Sequence, residues 1–236
     1  IEGALDFVGH GAAKAGNSGD RPSLAILCSS DEPDPPSNPE AIRKFRAAGE
    51  RVGMRVETLS HEDIDRLVDF DALFIRDTTR LNHHTYQFAR RAAAEGMPVL
   101  DDPDSILKCN NKVFLNELLS QHQVPTPKTL MVHRDNMATV GVKLGFPCIL
   151  KQPDSAFSLG VYKIECEEAL QSALRTLLAR SELVIAQQWL PTTFDWRVGI
   201  LERRPLYVCK YYMAPGHWQV IKRDSHRRVE GGTAAV

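Results

Sequence analysis

Lys151 closes a short apolar run, Cys148-Ile-Leu-Lys151, and is followed by Gln-Pro-Asp-Ser-Ala-Phe-Ser-Leu-Gly160. The run reads as a strand, the hydroxyl-rich and turn-rich segment as a loop, and Val161 to Ile164 as a second strand. A cation at a strand end suits a phosphate chain when it stands beside a loop offering backbone N–H groups, the hydroxyls of Ser155 and Ser158, and Gly160. The same residues also fit a surface hairpin carrying an incidental lysine, and this stretch alone leaves both readings open. Other chemistry-bearing residues are spread along the chain. Lys112 lies early in an apolar-periodic helix, Gln187-Gln188-Trp189-Leu190 follows a strand, and Asp195, Arg197 and Lys210 lie on two later strands. Arg76, Asp77, Thr78 and Thr79 follow the apolar run Ala72 to Ile75, and Asp101 and Asp102 follow Pro98 to Leu100. His83 and His84 are adjacent and could be catalytic or metal-ligating residues; on a regular element neighbouring side chains point apart, which favours a loop-to-helix junction with one ring solvated.

Elements that alternate between strand and helix position the first group. Leu24 to Cys28 is a continuous apolar run, the mark of a strand buried on both faces. A proline-rich loop from Asp31 to Pro39 follows, either facing a substrate or simply connecting. A helix is expected from Pro39 to a stop at Gly53, and a strand over Arg55 to Leu59. A short helix over His61 to Val68, a strand over Ala72 to Ile75, a helix over Thr85 to Ala94 and a strand over Pro98 to Leu100 come next. This alternation predicts a parallel α/β sheet, in which ligands sit beyond the carboxyl ends of the strands. One helix is expected over Ser105 to Gln121. A strand over Thr129 to Val132, a helix over Asn136 to Leu144 and the stretch around Lys151 follow. The remaining expectations are a helix over Glu167 to Ala179, a strand over Leu183 to Ala186, paired strands over Asp195 to Leu201 and Leu206 to Tyr212, and a strand over Trp218 to Lys222. The segment from Lys222 to Val236 is basic, then small and polar; Lys222, Arg223, Arg227 and Arg228 read as a solvated segment or as a phosphate contact.

The order of these features resembles the ATP-grasp superfamily, and in closer detail the RimK-like ATP-grasp ligases. The segments that carry the resemblance are Asp71-Ala-Leu-Phe-Ile-Arg76, His83-His-Thr-Tyr-Gln-Phe-Ala-Arg90, Asp101-Asp-Pro-Asp-Ser-Ile106, Cys109-Asn-Asn-Lys112, Pro125-Thr-Pro-Lys-Thr129, Phe146 to Tyr162 and Phe194-Asp-Trp-Arg197. The resemblance implies an α/β protein with a parallel pre-ATP-grasp domain over 22–107 after a tail over 1–21. A small α+β lid subdomain over 108–184 and an incomplete larger lobe over 185–236 would complete it. It implies that Lys112 and Lys151 reach nucleotide phosphates and that Ser155, Ser158 and Gly160 belong to a loop closing over them. Gln187, Gln188, Trp189 and Leu190 would form the hinge that meets adenine, Gln187 through its side-chain carbonyl. Asp195 would bind the ribose hydroxyls, and Arg197 and Lys210 would stand near the phosphates or an acyl phosphate. Arg76 is placed near the acceptor substrate, with an ion-pair role as its alternative.

The implied activity is an ATP-dependent carboxylate–amine or carboxylate–thiol ligase with an acyl-phosphate intermediate, acting on a small molecule, a peptide or a protein terminus. The implied cofactors are ATP and Mg²⁺. The family's magnesium ligands include a Glu-x-Asn pair. Here no asparagine follows Asn136, and the acids after Asp195 are Glu202, Asp224 and Glu230. The ligands are therefore expected downstream of this chain, which starts at Ile1 and reads as a fragment. The alternative is a nucleotide-binding module without catalysis.

Lys plus Arg is 29 and Asp plus Glu is 30, a net charge of −1 that gives no global drive toward nucleic acid or an anionic surface. No apolar run approaches the ~20 residues of a membrane span. Five cysteines, an odd number without metal-ligand spacing, suit a reducing cytoplasm. A homo-oligomer is compatible with all of this.

Overall fold

The computed structural model describes residues 21–32, 35–153, 160–224 and 227–236. The chain forms two compact units, Ile1–Asn110 and Asn111–Val236.

In the first unit, β1 (Ser23–Leu27), β2 (Arg55–Leu59), β3 (Ala72–Ile75) and β4 (Val99–Leu100) make a parallel sheet in the order β2-β1-β3-β4. Every residue of β1 is buried, because the sheet is covered on both faces. On one face Leu24, Ile26, Val56 and Ala72 pack with Ile42 and Phe45 of helix α1 (Pro39–Arg51). On the other, Ala25, Leu27, Leu59, Leu73 and Ile75 pack with Phe88, Ala89 and Ala92 of α2 (His84–Ala94), and with Ile106 of α3 (Pro103–Asn110). The 3₁₀ helix His61–Asp69 adds Leu67 to that face. Helix α1 begins where Asn38 accepts from the Ala41 N–H and Pro39 supplies a preset φ.

The single helix expected over Ser105 to Gln121 is two helices. Asn111 stands between them in extended conformation (φ −89°, ψ 111°) and its Oδ1 accepts from the N–H groups of Val113 and Phe114. An asparagine carbonyl competes for N–H groups that a continuous helix would use, and so starts α4 (Lys112–Gln121). Replacing Asn111 by alanine should cost about 1 kcal/mol of stability, as a lost N-terminal cap does, and urea denaturation would measure it.

The second unit contains an antiparallel sheet of β5 (Thr129–Val132), β8 (Val184–Gln188), β6 (Cys148–Lys151) and β7 (Val161–Ile164), in that spatial order. Val132, Cys148, Leu150, Ile164, Val184 and Ala186 line one face and are covered by Val140 of α5 (Thr139–Leu144) and Leu170, Leu174 and Leu177 of α6 (Glu167–Leu178). The helix expected from Asn136 starts later, because Asn136 ends a short 3₁₀ turn over Arg134–Asn136.

A second antiparallel sheet is ordered β13-β10-β9 and consists of β9 (Phe194–Leu201), β10 (Arg204–Tyr212) and β13 (Thr233–Ala235). Between them lies the hairpin β11 (Ile221–Asp224) and β12 (Arg227–Glu230). The strand expected over Trp218 to Lys222 therefore begins at Ile221. A β-carbon on Gly231 would fall 1.6 Å from the Tyr212 carbonyl oxygen, and the Tyr212 N–H donates to the Gly232 carbonyl at 2.9 Å. Two adjacent glycines thus let the chain turn tightly enough against β10 for β13 to pair with it.

Candidate functional site

Strand alternation sorts the first antiparallel sheet of the second unit into a core face and an open face. With Cys148 and Leu150 on the core face, Ile149 and Lys151 fall on the other. Register adds Ile185 and Gln187 from β8, Thr129 and Met131 from β5, and Val161 and Lys163 from β7. Ile149 and Ile185 are nevertheless buried.

Lys151 is half-buried, and its Nζ donates to Gln187 Oε1 at 2.6 Å. Burial holds its pKa below the ordinary lysine value, and no carboxylate among the described residues offsets that. An ammonium group partly removed from water, with a neutral partner, favours an anionic ligand. Gln187 Nε2 donates in turn to Thr129 Oγ1 at 2.9 Å, and the Thr129 hydroxyl donates to the Pro127 carbonyl at 2.7 Å. The Lys112 N–H donates to the Pro153 carbonyl at 3.0 Å, which ties the start of α4 to the chain two residues past Lys151. Gly160, at φ 65°, accepts from the Gln152 N–H and closes the other end of the loop. Ser155 and Ser158 lie outside the described residues.

Gln188 ends β8, and its N–H donates to the Lys128 carbonyl at 2.8 Å. Beyond it, Trp189 packs edge-on to Trp218, with ring centroids 5.4 Å apart, and Lys163 Nζ lies 4.7 Å from the Trp189 ring. Lys163 also pairs with Glu165 at 2.7 Å. Leu190 follows, exposed. Sequence reading missed Thr129 and Lys163. Their signal was the period of two along β5 and β7, which becomes informative only once the register between strands is known.

Asp195, Arg197 and Lys210 are not gathered on one surface. In the β9–β10 pairing Asp195 stands opposite Tyr211, Arg197 opposite Cys209, and Lys210 opposite Trp196. Directly paired residues share a face, so Asp195 and Arg197 lie on one side and Lys210 on the other. Arg197 donates to the Tyr207 hydroxyl at 3.4 Å and lies over Tyr211, while Lys210 lies over Phe194 and Trp196 at 4.6 and 5.1 Å. The Tyr207 hydroxyl raises the Arg197 pKa further, so its charge is permanent.

In the first unit, Arg76 follows β3. Its Nε and Nη2 donate to Ser37 Oγ at 2.8 and 2.7 Å, and its guanidinium lies over Phe45 and Phe74. Asp77 is buried; its carboxylate accepts from the Ser29 N–H and Oγ–H and meets His84 Nε2 at 2.8 Å. The rings of the two adjacent histidines lie 3.9 Å apart, tilted by 39°, instead of diverging, with His83 in extended conformation just before α2 and His84 its first residue.

Residues 110–214 match the family model for the D-ala D-ala ligase C-terminus. The fold is similar to that of a RimK domain protein ATP-grasp from Sphaerobacter thermophilus, at TM-score 0.66 and 16% identity over 90% of each chain. The chain has the fold of ATP-grasp proteins. A D-alanine–D-alanine ligase from Bacillus anthracis gives TM-score 0.64 and 14% identity over 91% of this chain and 71% of its own. The alpha-aminoadipate–LysW ligase LysX of Saccharolobus solfataricus is 28% identical over 134 residues, 53% of this chain and 48% of LysX. A D-alanine–D-alanine ligase of Nitrosococcus oceani is 38% identical over 84 residues, 35% of this chain and 26% of that enzyme. The chain thus spans about half the length of LysX and about a quarter of the Nitrosococcus ligase.

Proposed function

We propose that the second unit binds ATP and that the protein is a carboxylate–amine ligase working through an acyl phosphate, with an amino acid, peptide or protein terminus as acceptor. The observation that carries the nucleotide reading is Lys151, a half-buried ammonium group held by a neutral carbonyl at the mouth of a glycine-ended loop. The relatives named above are ligases, which supports the reaction class. In this reading Lys151 and Lys112 hold the phosphates, and Ser155, Ser158 and Gly160 close over them. Gln187, Gln188, Trp189 and Leu190 border the base. Asp195 accepts from the ribose hydroxyls, and Arg197, on the same face, neutralises charge that develops during transfer. Lys210 faces the aromatic side of its sheet, so its part would be played from there. Arg76 serves the acceptor while holding the loop before α1.

The open face that carries Lys151 presents ammonium and amide groups, which suit phosphate oxygens and not a magnesium ion. Among the described residues no cluster of three His, Cys, Asp or Glu is placed to hold a metal. None of the described helices is long and apolar enough to cross a membrane. All five cysteines are free thiols, which supports a reducing compartment such as the cytoplasm.

The test is ATP-dependent phosphate release across a panel of amino acids and short peptides. Release with one donor–acceptor pair is expected. ATP binding without release for any pair would favour a nucleotide-binding module without catalysis.

The depressed Lys151 pKa also sets a pH dependence. Above that pKa the ammonium loses its charge, whereas bound phosphate favours the charged form. Binding therefore takes up a proton, and affinity should fall as pH rises, beginning below the ordinary lysine value of ~10.4. The slope should approach tenfold per pH unit between the free and bound pKa values. Titrations from neutral pH upward would show it, and Lys151→Arg should flatten the profile.

A further inference from the structure

We infer that Thr129 is a positioning residue for the nucleotide phosphates, acting through a relay that runs across three strands from Pro127 to Lys151. The inference rests on the ATP reading of this face for its ligand; the relay itself stands on geometry. The Thr129 hydroxyl has one proton, and donates it to the Pro127 carbonyl at 2.7 Å. Its oxygen is then an acceptor only, and it accepts a hydrogen bond from Gln187 Nε2 at 2.9 Å. That contact sets which end of the Gln187 amide faces which way. The carbonyl end is turned to Lys151, whose ammonium can only donate, and the two meet at 2.6 Å. Both ends of the relay demand the same amide orientation. The chain of donors runs Lys151 to Gln187 to Thr129 to Pro127, from the central strands β6 and β8 to the residues before edge strand β5.

The consequence is a lysine aimed by a neutral group. One of its three N–H groups is committed to Gln187, and its charge is not cancelled by any described carboxylate. The other charged described residue on this face is Lys163, which has its own partner in Glu165. Lys128, next to Thr129 in sequence, donates instead to the Lys143 carbonyl. If the Thr129 hydroxyl is removed, the Gln187 amide is free to turn its NH₂ toward Lys151, where donor meets donor and the ammonium loses its anchor.

Two substitutions separate the hydroxyl from the volume. Thr129→Val keeps the shape and removes the relay; Thr129→Ser keeps the hydroxyl. ATP affinity should fall about 2- to 10-fold in Thr129→Val, the worth of one hydrogen bond, and stay within about twofold of the parent in Thr129→Ser. A second readout needs no nucleotide. NMR titration of the Lys151 side chain should move to lower pH in Thr129→Val, stay in place in Thr129→Ser, and move to higher pH in Gln187→Glu, where a carboxylate replaces the carbonyl. An unchanged Lys151 titration in Thr129→Val overturns the relay, whatever ATP does. A shifted titration in a protein whose parent form does not bind ATP keeps the relay and overturns the ATP reading instead.

Discussion

Replacing Lys151 by alanine should weaken ATP binding about 10- to 100-fold while the protein stays folded. A charge-assisted hydrogen bond to phosphate contributes roughly 1.5 to 3 kcal/mol, and each 1.4 kcal/mol is tenfold in affinity. The fold should tolerate the change because the residues of β6 that build the core are Cys148 and Leu150, both fully buried on the helix-covered face. Lys151 points to the other face, and its partner Gln187 keeps its bond to Thr129 when the lysine is gone. Calorimetric titration with ATP, paired with thermal unfolding of the ligand-free protein, measures both parts. Unchanged ATP affinity in Lys151→Ala would contradict the role assigned to this residue.

Asp77→Ala should destabilise the first unit by about 3 kcal/mol. The Asp77 side chain is almost completely buried beyond the end of β3, where it accepts from Ser29 N–H at 2.6 Å and Ser29 Oγ–H at 2.7 Å and holds His84 Nε2. Three groups from two different segments depend on one carboxylate. Hydrogen bonds to charged groups contribute more than neutral ones, and the partners left behind inherit their desolvation cost. Asp77→Asn retains one acceptor oxygen and should lose about half as much. Guanidinium unfolding followed by circular dichroism gives the values. An Asp77→Ala loss below about 0.5 kcal/mol would mean that this cluster only decorates the sheet end and does not pin it.

Asp77 also shows how far the chain could be read in advance. The position of residues 76–79 beyond a strand end followed from the apolar run Ala72 to Ile75, since a strand buried on both faces must be continuous in hydrophobicity. The bonds that Asp77 makes did not follow. Ser29 is 48 residues away, and nothing local marks it as a partner. Asn111 illustrates a different gap. Its type was on view, but the periodicity of Phe114, Leu115 and Leu118 continues that of the helix before it. The cap is decided by a backbone turn of one residue, which an apolar pattern does not record.

The candidate site divides along the same line. The order of Lys112, Lys151, the serine and glycine loop, Gln187 and Asp195 carried the ATP-grasp resemblance, because residue type and order along a strand–loop–strand path are properties of the chain itself. Which face each side chain takes is a property of register. That Arg197 and Lys210 lie on opposite sides of one hairpin follows from the pairing of Arg197 with Cys209 and Lys210 with Trp196, and a shift of one residue would reverse it. The ATP-grasp resemblance implies that Gln187 meets adenine. Only the tertiary structure sets its carbonyl against Lys151 and its NH₂ against Thr129, 58 residues earlier in the chain. The sequence by itself determined most of the strands, the fold class and the cations. The packing of three strands side by side decided how one of those cations is aimed, because hydrogen bonds between distant segments exist only after the segments have been brought together.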